Sequence, residues 1–222
     1  MKICRAAGAA GMVSGLLLLV EMIGFMQSGW TAEKFAQPEQ AIIVLRDGGH
    51  WLRMAAAAGT INLAAMALFL AGLSLGLRRG APTLAVCIFV LGLLGIGAHS
   101  LVPVGLWIAV PSLVGSPDPR LALSAWPAFN LVSSTAHAAG SLFMGAAMMA
   151  AGAAVLKSPV RARIAGSLTL AAGLLTVAPM LLLGQLSAAS MGLVFPASLA
   201  MAVLFRLAIG GLLFSRAAAW AA

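Results

Sequence analysis

Charged side chains are scarce in this sequence, and acidic ones are the scarcest. Only 8% of the 222 residues are charged, with five Asp and Glu against thirteen Lys and Arg, and tyrosine is absent. An ordinary soluble domain is about 25% charged. A water-soluble fold would therefore lack the polar surface needed to cover its apolar residues. The shortage of acids also excludes a metal site built from several carboxylates inside a membrane.

Cysteine and catalytic motifs are equally sparse. Cys4 and Cys87 are the two cysteines, and neither has the spacing of a metal site. Both fall near the reducing side in the orientation argued below, so no disulfide is expected. The sequence contains no glycine-rich phosphate loop, no H-E-x-x-H and no strong nucleophile motif. No catalytic residue is predicted, and the sequence leans against an enzyme.

Apolar residues are what the chain has in abundance, at 62% of the total and a mean hydropathy of +1.07. Several apolar runs are near or above the length of about 20 residues that a membrane-spanning helix needs. Transmembrane strands would instead read as alternating segments of about 10 residues, which are absent. We therefore predict one all-α domain over 1–222, a polytopic bundle of six transmembrane helices. The six runs cover 6–28, 54–77, 83–109, 129–155, 164–187 and 190–214.

The basic residues predict the orientation, because cytoplasmic loops of membrane proteins collect Lys and Arg. With the N-terminus inside, eight basic residues fall in inner segments and four in outer ones. The inner ones are Lys2, Arg5, Arg78, Arg79, Lys157, Arg161, Arg163 and Arg216. The outer ones are Lys34, Arg46, Arg53 and Arg120. Four tryptophans fall at outer helix ends, where indole rings prefer to lie, and the fifth, Trp220, follows the last inner end. Those four are Trp30, Trp51, Trp107 and Trp126.

These counts predict that both termini are cytoplasmic. The net charge of +8 then belongs to the cytoplasmic loops and not to nucleic-acid binding.

Two outer connections carry specific expectations. From Pro38 a short helix could run to Arg46, where Gly48 and Gly49 would stop it. Its apolar face would lie on the membrane, and the alternative is an irregular loop. The connection over 110–127 holds four prolines and is expected to be a long segment that no simple turn can replace.

Glu21 and Arg206 are ionisable residues inside predicted spans. A charge at the centre of a bilayer costs about 2.5–3.5 kcal/mol or more, so each needs a partner. Side chains tilt towards the N-terminus of their own helix, and the first and last helices run in opposite directions. The two side chains therefore tilt towards each other, and an ion pair is our hypothesis. The alternative is a neutral, hydrogen-bonded Glu21 with Arg206 extended towards the inner surface. Asn62 and Gln185 are lone amides that favour hydrogen bonds between helices.

His99 and His137 are predicted at matching depths on neighbouring helices. Two such histidines could be the axial ligands of a haem. The alternative is a packed, hydrogen-bonded pair, with partners supplied by the hydroxyl groups over 133–135.

Pairs of small residues four positions apart permit close helix contacts. They occur as Gly11 with Gly15, Gly72 with Gly76, and Ser141 with Gly145. Packing within the bundle and association with another subunit or a second copy both use this pattern.

Helices four and five resemble a known family. The segments 137–145 (HAAGSLFMG), 156–159 (LKSP) and 163–166 (RIAG), with Arg5 and Gly8 at the start of the first helix, resemble the bacterial membrane family called domain of unknown function 4386. That resemblance implies six helices and no assigned activity.

Three hypotheses remain open for this predicted bacterial inner-membrane protein. The first is a non-enzymatic subunit or accessory of a membrane complex. The second is a carrier of protons or a small molecule that uses Glu21, Asn62 and Arg206. The third is a haem-binding redox protein that uses His99 and His137.

Overall fold

The computed structural model describes residues 2–115, 118–157, 163–182 and 188–215. Within these ranges all regular secondary structure is α-helical. In chain order the helices are α1 (Lys2–Gln27), α2 (Ala32–Ala36), α3 (Pro38–Asp47), α4 (Gly49–Leu77), α5 (Pro82–Val114), α6 (Pro119–Lys157), α7 (Arg163–Leu181) and α8 (Ala188–Ser215).

The long helices confirm the predicted fold class. In the described part of the chain, six helices are long and apolar enough to cross a membrane, namely α1 and α4 to α8. The chain is therefore built as a multi-pass membrane protein. Several helices extend beyond the apolar runs; α4, for example, begins at Gly49 and not at residue 54. The first turn of α4 is polar, so hydropathy alone does not detect it.

The membrane-length helices are arranged as a closed ring. Each one packs against its neighbours in sequence, and α8 returns to pack against α1. The tight turn between Leu77 and Pro82 makes α4 and α5 the antiparallel hairpin that the sequence predicts. Short connections of this kind favour neighbours that are adjacent in the chain. The ring places α1 between α4 and α8.

Glycines make the closing contact between α1 and α8 possible. A Cβ atom on Gly210 would lie 2.9 Å from the backbone oxygen of Gly8 and 2.9 Å from the backbone nitrogen of Met12. Gly72 and Gly145 have similarly close neighbours, on α1 and α7 respectively. Gly72 and Gly145, which belong to the sequence motifs, are thus used for contacts inside the bundle.

The prediction of a long connection over 110–127 is wrong. Helix α5 continues to Val114, and α6 already begins at Pro119. The backbone N–H of Arg120 donates to Oδ1 of Asp118 at 2.9 Å, which caps the start of α6. Proline is tolerated in the first turn of a helix, where its missing N–H would have no helical partner. Pro111 lies inside α5 and Pro127 lies inside α6, so these two prolines do not end the helices as expected.

The predicted short helix is confirmed as α3, and only part of its apolar face is free to lie on the membrane. Val44 and Leu45 are buried with Leu52, Leu106 and Trp126, at one end of α4, α5 and α6. Ile43 is 48% exposed, so the contact of α3 with the membrane stays a prediction.

An aromatic cluster holds α2 and α3 in place. The indole N–H of Trp126 donates to the backbone oxygen of Phe35 at 2.8 Å, and the two rings are 5.1 Å apart between centroids. The rings of Trp30 and Phe35 also meet edge to face, with 5.7 Å between their centroids. Trp30 and Trp126 therefore lie at the same end of the bundle, as the alternating helix directions require.

Candidate functional site

Ser14, Glu21, Asn62 and Arg206 form one polar cluster between α1, α4 and α8. Ser14 and Glu21 are seven residues apart on α1, so they lie two turns apart on one face. Asn62 comes from the middle of α4 and Arg206 from α8. Because α1 packs against both of these helices, its polar face meets side chains from each of them.

Asn62 is the centre of this polar cluster. Its Oδ1 accepts a hydrogen bond from the Ser14 hydroxyl at 2.7 Å and another from Nη1 of Arg206 at 3.0 Å. Its Nδ2 donates to Oε2 of Glu21 at 3.3 Å. The amide thus presents its oxygen to two donors and its nitrogen to a carboxylate, the one orientation that satisfies all three partners.

The polar cluster is buried inside the apolar part of the bundle. Ser14 is 0% exposed, Asn62 is 4% exposed and Arg206 is 8% exposed. Glu21 is partly buried, and it lies against Gly59, where a Cβ atom would be 2.8 Å from Oε1 of Glu21. The missing side chain at Gly59 makes room for the carboxylate beside α4.

Asn62 connects Glu21 and Arg206, the two ionisable residues that the sequence singles out. The hydrogen bonds that link Glu21 to Arg206 run through Asn62, which donates to the carboxylate and accepts from the guanidinium. Arg206 therefore points into the protein towards Ser14 and Asn62, and does not extend to the inner surface.

Arg206 uses one end of its guanidinium group for the described contacts. Nη1 donates to Asn62 and, at 3.4 Å, to the backbone oxygen of Ser14. Among the described residues, the buried Nε has no hydrogen-bond acceptor. A buried donor without an acceptor costs about 1–3 kcal/mol. Within the cluster, Nε of Arg206 is the buried side-chain atom that bears this cost.

His99 on α5 and His137 on α6 form a second polar pair. Their ring centroids are 5.2 Å apart, and the rings meet edge to face. Nδ1 of His99 lies 3.1 Å from the backbone oxygen of Gly95, and Nε2 lies 3.4 Å from the hydroxyl of Ser141. Gly140 lies against the same ring, where a Cβ atom would be 2.6 Å from Nδ1. The close approach of α5 and α6 therefore depends on this glycine.

This geometry does not fit a haem held between the two histidines. Axial ligation by two imidazoles requires the macrocycle and its iron to pass between the rings. Here the rings touch directly, and both nitrogens of His99 already have polar neighbours. The pair resembles the hydrogen-bonded alternative, except that Ser141 supplies the hydroxyl. Ser134, one of the expected partners, donates to the backbone of its own helix.

The two polar groups lie on helices of the same ring. Helices α1, α4 and α8 supply the polar cluster, and α5 and α6 supply the histidines. Five of the helices in the ring thus contribute a side chain to one of the two groups.

Sequence reasoning missed Ser14, Gly59 and Ser141 as members of these groups. Each has a helical spacing that could have revealed it: Ser14 precedes Glu21 by seven residues, Gly59 precedes Asn62 by three, and Ser141 follows His137 by four. Gln185, Arg161, Arg216 and Trp220 lie outside the described residues.

The described residues form no metal site, and the chain has no match among known proteins. The described ranges contain no group of three or more His, Cys, Asp or Glu side chains that could hold a metal ion. No protein-family model, curated protein or solved structure matches this chain.

Proposed function

We propose that this protein is a membrane carrier, and that a proton or small solute crosses the bilayer through the polar cluster of Ser14, Glu21, Asn62 and Arg206. One observation carries the proposal: a continuous set of hydrogen bonds joins a carboxylate to a guanidinium inside a ring of transmembrane helices. Ionisable residues in membrane spans typically mark ion or substrate pathways.

A purely structural role explains this arrangement less well. Hydrogen bonds between membrane helices contribute only about 0.6 kcal/mol on average, which is less than the cost of placing a charge near the bilayer centre. Glycine seams such as Gly8 with Gly210 already hold α1 and α8 together. The charges are therefore not needed for packing.

Accessibility to water tests the proposal without knowledge of the solute. In a chain with Cys4→Ser and Cys87→Ala, Ser14→Cys places a thiol inside the polar cluster. The protein is reconstituted in liposomes and treated from either face with a membrane-impermeant methanethiosulfonate reagent. The matched control is Thr169→Cys, because Thr169 is also 0% exposed and donates only to its own helix.

A carrier exposes its binding site to water from at least one side. We expect Ser14→Cys to react at least about tenfold faster than Thr169→Cys, because thiols react as solvated thiolates. Equal, slow reaction at both positions from both faces would contradict a carrier and would leave the polar cluster as a packing device.

The accessory-subunit hypothesis remains a prediction, and co-purification of partners in fixed ratio would support it. Several of the small residues that could mediate such association are occupied within the chain; Gly11, for example, lies against Phe69 and Gly15 against Leu207. Location in a bacterial inner membrane and membership of the family that helices four and five resemble also remain proposals.

A further inference from the structure

The unused edge of Arg206 indicates what kind of solute the polar cluster takes. Nε and Nη2 form one edge of a guanidinium and offer two parallel N–H donors to a carboxylate. Both described hydrogen bonds of Arg206 come from Nη1 instead. Arg206 is only 8% exposed, and its buried Nε has no acceptor among the described residues. An acceptor that reached this edge would remove the cost of the unpaired donor.

We propose that this edge of Arg206 binds the carboxylate of a small water-soluble monocarboxylic acid, and that each carboxylate is accompanied by one proton on Glu21. This inference rests on the carrier function proposed above. The protonated Glu21 keeps its hydrogen bond from Asn62, because a carboxylic acid still has an acceptor oxygen.

Charge balance inside the membrane fixes the proton count. The empty cluster holds one carboxylate and one guanidinium and is neutral. Binding of an anion alone would leave a net charge of −1, at a cost of about 2.5–3.5 kcal/mol or more near the bilayer centre. Addition of H⁺ to the carboxylate of Glu21 gives COOH and restores neutrality, while the bound carboxylate stays ionised against Arg206. No covalent bond of the solute changes, and proton and anion leave together.

A dicarboxylate does not fit this balance. Its second negative charge would need a second proton carrier in the polar cluster. Glu21 is the one acidic residue within the apolar runs of the sequence, and neither His99 nor His137 is hydrogen-bonded to the cluster in the described contacts. The proposal therefore names monocarboxylates alone.

The surroundings of Glu21 hold few other groups that titrate. Asn62 faces it from α4 and Arg206 faces it from α8, which has no further ionisable residue between Ala188 and Ser215. The other ionisable groups of these elements and of the interior are Lys2, Cys4 and Arg5 in the first turns of α1, His50 and Arg53 near the start of α4, and His99 and His137 across the ring.

Proton-coupled uptake of a carboxylate provides the test. Wild-type protein is reconstituted in liposomes that contain a trapped pH-sensitive dye, with equal pH on both sides. Sodium pyruvate, lactate or glycolate is then added outside, and the rate of luminal acidification is compared with that of protein-free liposomes. Valinomycin and potassium gradients set the membrane potential. All variants are compared as monodisperse protein at equal reconstituted amounts.

The substitutions have matched controls of the same chemical type. Arg206→Lys keeps the charge and loses the two-donor edge, so we expect acidification to slow about tenfold or more. Arg120→Lys, at an exposed position, should leave the rate unchanged. Glu21→Gln should abolish acidification and preserve exchange of labelled pyruvate across the membrane. Glu33→Gln, also exposed, should preserve both activities.

Several results would overturn the inference. One is that none of the three carboxylates accelerates acidification beyond the Arg206→Lys rate. Another is that acidification persists in Glu21→Gln, or that an imposed potential changes the wild-type rate, because one proton with one anion carries no net charge. If Ser14→Cys is accessible to water in these cases, the carrier function stands and the solute assignment alone fails. If Ser14→Cys is inaccessible, both fail.

Discussion

Asn62 is the residue on which the polar cluster depends. It is the one side chain in hydrogen-bond contact with Ser14, Glu21 and Arg206 together. An amide is suited to this position because it offers both a donor and an acceptor without adding charge. A second carboxylate in its place would give the cluster a net negative charge, and a hydroxyl would be too short to reach both helices.

Replacement of Asn62 by alanine should destabilise the protein by about 1–3 kcal/mol, because the buried donors of Ser14 and Arg206 lose their shortest hydrogen bonds. Ser14 keeps only a 3.7 Å contact with the sulfur of Met66, and Nη1 of Arg206 keeps a 3.4 Å contact with the backbone oxygen of Ser14. The free energy of unfolding in mixed micelles, measured by titration with sodium dodecyl sulfate, gives the effect. Thr60→Ala is the control, because Thr60 lies on the same helix and donates only to the backbone of Ala56. Equal effects of the two substitutions would show that the polar cluster contributes no stability.

At the level of residues, the sequence predicted the ionisable members of the site but not their connection. Glu21, Asn62 and Arg206 stand out because polar side chains are rare in apolar runs. The role of Asn62 between the other two could not be predicted, because it depends on which faces of α1, α4 and α8 meet. Helices as uniformly apolar as these have little amphipathic pattern to indicate that rotation.

At the level of elements, hydropathy predicted the helices of the bundle and failed at their ends nearest α2 and α3. The apolar runs predicted α1 and α4 to α8 in number and order, because the bilayer imposes a minimum length on each. Pro111 and Pro127 suggested a loop where α5 and α6 continue. Proline removes a single N–H, and neighbouring elements can satisfy the carbonyl that it frees. The packing of α3 on the bundle also depends on tertiary contacts that no local pattern reveals.

Adjacent glycines on α8 allow a direct test of the contact that closes the ring. A Cβ atom at Gly210 would lie 2.9 Å from backbone atoms of α1, whereas one at Gly211 would have no heavy atom within 4 Å among the described residues. We expect Gly210→Ala to destabilise the protein by about 1–3 kcal/mol through overpacking. Gly211→Ala should be neutral or should stabilise by up to about 1 kcal/mol, because alanine favours helices.

The same unfolding titration measures both variants. If Gly211→Ala proved the more harmful substitution, α8 would present a different face to α1, and the position of Arg206 against Ser14 would be wrong as well.

At the scale of the whole molecule, the ring of helices has one end, the capped end, that α2 and α3 cover. The aromatic cluster of Phe35 and Trp126 holds α2 and α3 over one end, and the histidine pair lies within the helices below it. The polar cluster lies beside α1, partway through the bundle. A solute of the proposed carrier that enters from the capped end would have to pass α2 and α3. At the opposite end, the described part of the chain includes the tight turn from α4 to α5.

The distribution of basic residues predicts which end faces the cytoplasm, and paired cysteines can test it. In the chain with Cys4→Ser and Cys87→Ala, Glu33→Cys marks the capped end and Gly80→Cys marks the turn after α4; both positions are exposed. In intact spheroplasts of a bacterial host, a membrane-impermeant maleimide should label Glu33→Cys and leave Gly80→Cys unlabelled until the cells are opened. The reason is that Arg78 and Arg79 flank Gly80 and anchor that turn inside.

The two cysteines distinguish an inverted orientation from an error in the fold, because α4 alone separates the capped end from the turn at Gly80. Labelling of Gly80→Cys alone in intact cells would place the capped end in the cytoplasm and would reverse the orientation that the basic residues predict. Labelling of both cysteines in intact cells would mean that α4 does not cross the membrane. Asn62 would then lie outside the bilayer. A net charge on Glu21 and Arg206 would no longer carry the cost of a charge near the bilayer centre.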